Sequence, residues 1–115
     1  MLKKTDYYIK EKSSIARLAA WKLKASKAAI VIGKTIHLHN TSSQEFLSDR
    51  KWLLHELKHI EQFRRHGFLS FVFLYLWECI RHGYTNNKYE IEARDAEKDE
   101  ELLERMEFDW KIKPN

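Results

Sequence analysis

Helix and strand breakers are scarce in this chain: among 115 residues there is one proline, Pro114, and three glycines, Gly33, Gly67 and Gly83. Glycine and proline are the strongest local punctuation a sequence carries, so long regular elements are expected between these points. A chain of this length suits one domain with one core. We therefore expect a single domain over 1–115, with residues 1–12 and 109–115 loosely ordered.

Ser13 and Ser14 offer N-caps to a helix running to Ala25, in which Ile15, Leu18, Ala19 and Lys22 recur at helical spacing. Ala28 to Ile32 and Thr35 to His39 are rich in β-branched residues and flank the pair Gly33-Lys34, the pattern of a tight hairpin. Asn40 to Leu47 reads as polar turn. Ser48 then caps a helix from about Asp49, an acidic first-turn residue, to Arg65, stopped by His66-Gly67. The next helix, Phe68 to Arg81, is apolar nearly all round and is expected to be central or covered. A last helix is expected from Lys88 to about Phe108. Together these segments predict an α+β domain, mostly helical, with one short hairpin.

Charge is distributed unevenly. Residues 1–88 carry 16 Lys and Arg against 7 Asp and Glu, whereas residues 89–115 carry 5 against 10. An acidic tail helix docking on a basic body explains this asymmetry without an outside partner. No nucleic-acid motif is recognisable, so no nucleic acid is expected. The longest nearly uncharged run, Phe68 to Trp77, is too short to cross a bilayer, so no transmembrane segment is expected. The single cysteine, Cys79, cannot form an internal disulfide, and Met1 to Lys12 lacks the apolar stretch of a secretory signal. A cytoplasmic protein is expected.

Inside the second long helix stands His55-Glu56-Leu57-Lys58-His59, a match to H-E-x-x-H. At about 100° per residue the two histidines share one helix face, where both imidazoles can reach a metal at roughly 2.0 to 2.1 Å. Glu56 borders that face and can act as a base on a metal-bound water, whose pKa zinc lowers to about 7. With 6 His and 12 Glu in the chain such a match arises by chance about 3% of the time, so its context has to carry weight. Leu53, Leu57 and Ile60 on the adjoining face supply it, because they bury the helix that bears the motif.

A catalytic zinc needs a third protein ligand and an open position. His66, His82 and the acidic segment Tyr89 to Ala96 are the candidates. A metzincin pattern is disfavoured, since Gln62 and Arg65 stand where it wants Gly and His. The chain resembles the gluzincin zinc metallopeptidases in a small single-domain form, which pair an H-E-x-x-H helix with a glutamate in an E-x-x-A context on a later helix. Glu90-Ile91-Glu92-Ala93 carries that match, and the order of helix, hairpin and motif helix extends the resemblance over about Ser13 to Ala96. It implies a zincin-like minimal domain, with His55, His59 and Glu90 as Zn2+ ligands and Glu56 as the catalytic base. Glu92 is the alternative ligand in a shifted register; the small Ala93, three residues beyond Glu90, favours Glu90. The acidic residue that gluzincins often place one turn after the ligand is replaced here by Arg94, and Asp95 is a substitute.

The resemblance further implies a zinc metallopeptidase, an endopeptidase rather than an exopeptidase, acting on peptide or unfolded protein laid along an edge strand. Thr35 to His39 would be that edge, with His37 and His39 facing solvent. Tyr84, Tyr89 and His82 are candidates to stabilise the transition state. Selectivity is expected to be shallow, with acidic or neutral segments preferred. The alternative is a non-catalytic zinc-stabilised interaction module. Trp21, Trp52, Trp77 and Trp110 are expected in the core, as is the helix Phe68 to Arg81, whose second use would be a homo-oligomer interface or a membrane contact.

Overall fold

Tyr7 and Ile9 stand two residues apart and are fully buried, and that alternation makes the N-terminal stretch a strand. The computed structural model describes residues 5–106 and 108–112. Strand β1 (Thr5–Lys10) leads into helix α1 (Ser14–Leu23), the hairpin β2 (Ala28–Ile32) and β3 (Thr35–His39), and helices α2 (Ser43–Ser48), α3 (Arg50–His66), α4 (Phe68–His82), α5 (Lys88–Ala96) and α6 (Leu102–Met106). Strand β4 (Phe108–Ile112) follows. The result is a mostly helical α+β domain, as expected. Residues 5–10 and 109–112, expected to be loosely ordered, are instead strands; 1–4 and 113–115 lie outside the described residues.

The sheet order is β2-β3-β1-β4. β2 and β3 pair antiparallel through the predicted two-residue connection, with Ile32 opposite Thr35 and Gly33 at φ +64°. β1 runs parallel to both β3 and β4, with Ile9 opposite Ile36 on one side and Ile112 on the other. This pairing overturns the expectation that Thr35 to His39 is the edge. β1 occupies that side of β3, so β2 is the free edge next to the helices that carry the motif.

The sheet's alternation divides its faces. Ile36 and Leu38 point to the side where Leu53, Leu54, Leu57 and Ile60 of α3 complete the core, with Phe46 of α2 and Leu102 of α6. On the opposite face, the Ser13 hydroxyl lies 2.9 Å from His37 Nδ1 and anchors the start of α1. Ser13 also caps α1 by accepting the Ala16 N–H. α1 packs through Ala16 and Ala20, whose small side chains permit a close approach. The predicted stripe of Ile15, Leu18 and Lys22 faces outward.

Three further expectations are corrected. Asn40 to Leu47 is not all turn: Ser42 accepts the Glu45 N–H and starts α2, the first half of a capping-box pattern readable as Ser42-x-x-Glu45. The last helix breaks after Ala96, where the Asp99 carboxylate accepts the Glu101 N–H and the intervening turn lets Leu102 enter the core. The apolar α4 is peripheral, with Phe71 alone among its residues buried. Trp21 and Trp77 are accordingly exposed, while Trp52 packs against the core; the expectation for Trp110 falls on a side chain outside the described residues. Gly67, at φ +84° and ψ 157°, makes the turn from α3 to α4 in a region open essentially to glycine. Among the described residues no helix is long and apolar enough to cross a membrane.

Candidate metal centre

Asp49, rather than the expected Ser48, which ends α2, caps α3 by accepting the Trp52 N–H at 3.2 Å, and six residues later the first motif histidine appears. One turn separates His55 from His59, and their rings lie edge to face with centroids 5.1 Å apart. The partner helix, α5, begins at Asn87, a fully buried cap that accepts the Tyr89 N–H at 2.8 Å. The Asn87 amide also donates to Tyr75 O at 3.1 Å, fixing the start of α5 against α4. Ala93, fully buried, keeps the contact of α5 with α3 close. These constraints bring the first-turn residue Glu90 to the histidines.

His55 Nε2 lies 3.1 Å from Glu90 Oε1, and His59 Nε2 lies 3.2 Å from Glu90 Oε2. One donor atom from each residue falls within 4.8 Å of the others. Ligands at roughly 2.0 to 2.1 Å around a tetrahedral ion stand about 3.3 Å from one another, so the two His–Glu90 separations leave room for one metal ion. Two imidazoles and a carboxylate are also a donor set that suits zinc. Glu92 lies elsewhere, receiving a hydrogen bond from Gln62 Nε2 at 2.9 Å.

Both histidines are oriented from behind. His59 Nδ1 lies 2.9 Å from Gln62 Oε1, while the Gln62 amide nitrogen donates to Tyr89 O and to Glu92. With its NH2 group committed to two acceptors, Gln62 presents oxygen to His59, which puts the proton on Nδ1 and leaves Nε2 to ligate. His55 Nδ1 lies 3.0 Å from Glu97 Oε2. Glu97 thus provides the orienting carboxylate that Arg94 cannot; Arg94 instead donates to Thr85 O, and Asp95 is exposed. Sequence reasoning passed over Glu97 and Gln62. Glu97 stands seven residues from Glu90, two turns along the same face, which was the available signal.

The charges explain the protonation of the metal-free cluster. Burial works to lower the His55 pKa, but the hydrogen bonds to Glu90 and Glu97 and the nearby Glu56 outweigh it and raise the group to about 9. Burial similarly opposes, and Glu90 and Glu56 impose, an upward shift in His59. Glu90 is held far below the usual carboxylate range: burial pushes it up, but hydrogen bonds from His55, His59 and Tyr75 prevail. Tyr75 reaches Glu90 Oε2 at 2.5 Å. Glu56 is 5% exposed and accepts no hydrogen bond among the described residues. Burial raises its carboxyl to about 7 against the pull of His59 and His55.

These groups line a cavity of about 310 Å³. Ala19 and Leu23 of α1 and Val72 and Leu76 of α4 wall it, with the free edge of β2 alongside. Tyr84 lines it too, its phenol pushed up by burial and by Glu90 and Glu56. Of the other sequence candidates, His66 stacks on Phe71 with ring centroids 6.0 Å apart, Tyr89 is buried against Phe71, and His82 lies on the exposed end of α4. None of these three lines the cavity. No protein-family model matches the chain, and searches of curated proteins and of solved structures return no match.

Proposed function

We propose that this protein is a zinc-dependent metallopeptidase of the gluzincin type, with Zn2+ held by His55, His59 and Glu90. The observation that carries the reading is the placement of a buried, unbonded Glu56 carboxylate beside a converging His-His-Glu set, in a cavity bordered by a free strand edge. Bound zinc supplies Lewis acidity and a water of pKa about 7. Glu56 takes the proton from the attacking water on its carboxylate and delivers it to the leaving amine. Glu97 and Gln62 keep the ligating Nε2 atoms aimed, and Tyr75 holds the Glu90 carboxylate. Tyr84, at the cavity wall and kept protonated, donates to the carbonyl oxygen as negative charge develops there.

The substrate backbone pairs with the outer edge of β2, which places main-chain groups without requiring a particular side chain. Binding along a strand rather than at a chain end favours endopeptidase action. The walls from Leu23, Ile30, Ile32, Val72 and Leu76 favour neutral, apolar segments. A lone free cysteine fits a cytoplasmic setting.

Glu56→Gln tests the reading. It should lower kcat on a peptide-library substrate by roughly 10² to 10⁴ while leaving one zinc per chain. A wild-type protein that carries stoichiometric zinc and cleaves no member of a broad library would instead be a zinc-stabilised module.

A further inference from the structure

The outer surfaces of α1 and α4 carry more exposed apolar side chains than a solvated face needs. On α4, Leu69, Phe73, Leu76 and Ile80 recur at spacings of four, three and four, one helix face, and are 80%, 75%, 55% and 78% exposed. On α1, Ile15, Leu18 and Trp21 are also exposed. Scattered apolar residues on a surface are ordinary, but these lie on two helices that wall one cavity. Leu23 and Leu76, both about half exposed, line the same cavity from the two helices, so the two faces border a single opening.

The charge on these two helices is mostly of one sign, with Glu11 and Glu45 near Arg17 at one end. α1 carries Arg17 and Lys22 and no acid, and α4 carries Arg81 against the single Glu78. Arg17 and Lys22 are exposed and have no carboxylate within ion-pair distance among the described residues. Arg81 lies over the Trp77 ring, 5.9 Å from its centroid. The acidic residues of α5 and the turn after it lie elsewhere; Glu100, for example, pairs with Arg50 at the start of α3.

We propose that this face docks on the surface of an anionic lipid bilayer. Two-fold self-pairing would set the same unpaired cations against each other with few acids to offset them, whereas lipid phosphates complement them. Spanning is excluded for α4, whose 15 residues extend about 22 Å against a hydrocarbon thickness near 30 Å. The helices lie in the interface, with Leu69, Phe73 and Ile80 below the headgroups and Arg17, Lys22 and Arg81 at phosphate level. This proposal stands whether or not the metal centre is catalytic.

Co-sedimentation of the full chain with vesicles tests it. The protein should bind phosphatidylcholine vesicles containing phosphatidylglycerol at low salt, bind phosphatidylcholine alone far more weakly, and be released as salt rises. Phe73→Ser with Ile80→Ser should weaken binding about tenfold or more at an unchanged melting temperature, because both side chains are exposed. Arg17→Glu with Lys22→Glu should weaken binding to the anionic vesicles by about tenfold or more. Failure to bind anionic vesicles at low salt overturns the proposal, as does wild-type binding by the Phe73/Ile80 variant. A concentration-dependent dimer that the same variant abolishes would make this face a self-interface instead.

Discussion

Helices α3 and α4 follow one another with only Gly67 between them, yet they use their residues in opposite ways. α3 carries seven Lys, Arg, Asp and Glu side chains and buries eight residues, among them Glu56, His59 and Gln62; α4 carries two charged side chains and buries one residue. α3 is the helix laid across the sheet, so its position, rather than its mean polarity, brings polar groups inside. Burial is tolerable there because each histidine has partners on both nitrogens or both faces. α3, α2 and α6 fill the core, and of α4 only Phe71 and the half-buried Val72, Leu74 and Tyr75 pack on it. Apolar composition is thus no guide to which helix forms the core.

The comparison is sharpest in the energetics of truncation. Leu57→Ala in α3 should cost about 2 to 5 kcal/mol in denaturant unfolding, since it empties a fully buried site between helix and sheet. A loss below 1 kcal/mol would mean that α3 is not the centre of the core.

A second difference lies in pH. The Glu56 carboxyl is raised from 4.5 to about 7, so the folded state holds its proton more tightly than the unfolded chain does. Stability from this group is complete below pH 4.5 and is lost as pH rises through 7. In metal-free protein, Glu56→Gln should therefore be the more stable form at about pH 8, by on the order of 2 to 3 kcal/mol, and the two proteins should converge near pH 4. Melting curves in chelator that stay parallel across this range would contradict the burial of Glu56 as a costly charge. Zinc works the other way: the His55 proton, bound up to about pH 9, competes with metal, so zinc affinity should climb from pH 6 toward 9.

The orienting groups should give a smaller effect. Glu97→Gln should weaken zinc binding by about 10- to 100-fold in competition with a chelating dye, at little cost to stability. An unchanged affinity would show that His55 needs no support from α5. Smallest of all, Leu69→Ala in α4 should change stability by no more than about 0.5 kcal/mol, because the side chain is 80% exposed. A cost comparable to that of Leu57→Ala would erase the contrast between the two helices.

Much of the site could be read locally. The spacing of His55 and His59, the helix around them, its stop at Gly67 and the two-residue hairpin at Gly33-Lys34 all depend on neighbours within a few residues. Helical and strand periodicity act over that distance, so these features were legible. Strand β1 was missed because only Tyr7 and Ile9 mark it, and a parallel pairing leaves no turn signal in the intervening chain. The short α2 was legible in principle, in its Ser42 cap.

What the chain determined by itself was a motif helix with two aligned imidazoles and a base beside them, together with an acidic segment able to complete the set. Only the tertiary structure brought Glu90 against both histidines and set Glu92 on Gln62, recruited Glu97 across 42 residues and Gln62 from the same helix, and made β2 rather than β3 the open edge. It also turned the most apolar helix toward the outside. The physical reason is common to all of these outcomes. Side-chain direction within an element follows from backbone geometry, whereas the partner that a side chain meets depends on which elements reach the sheet and which surface they leave for the last to cover.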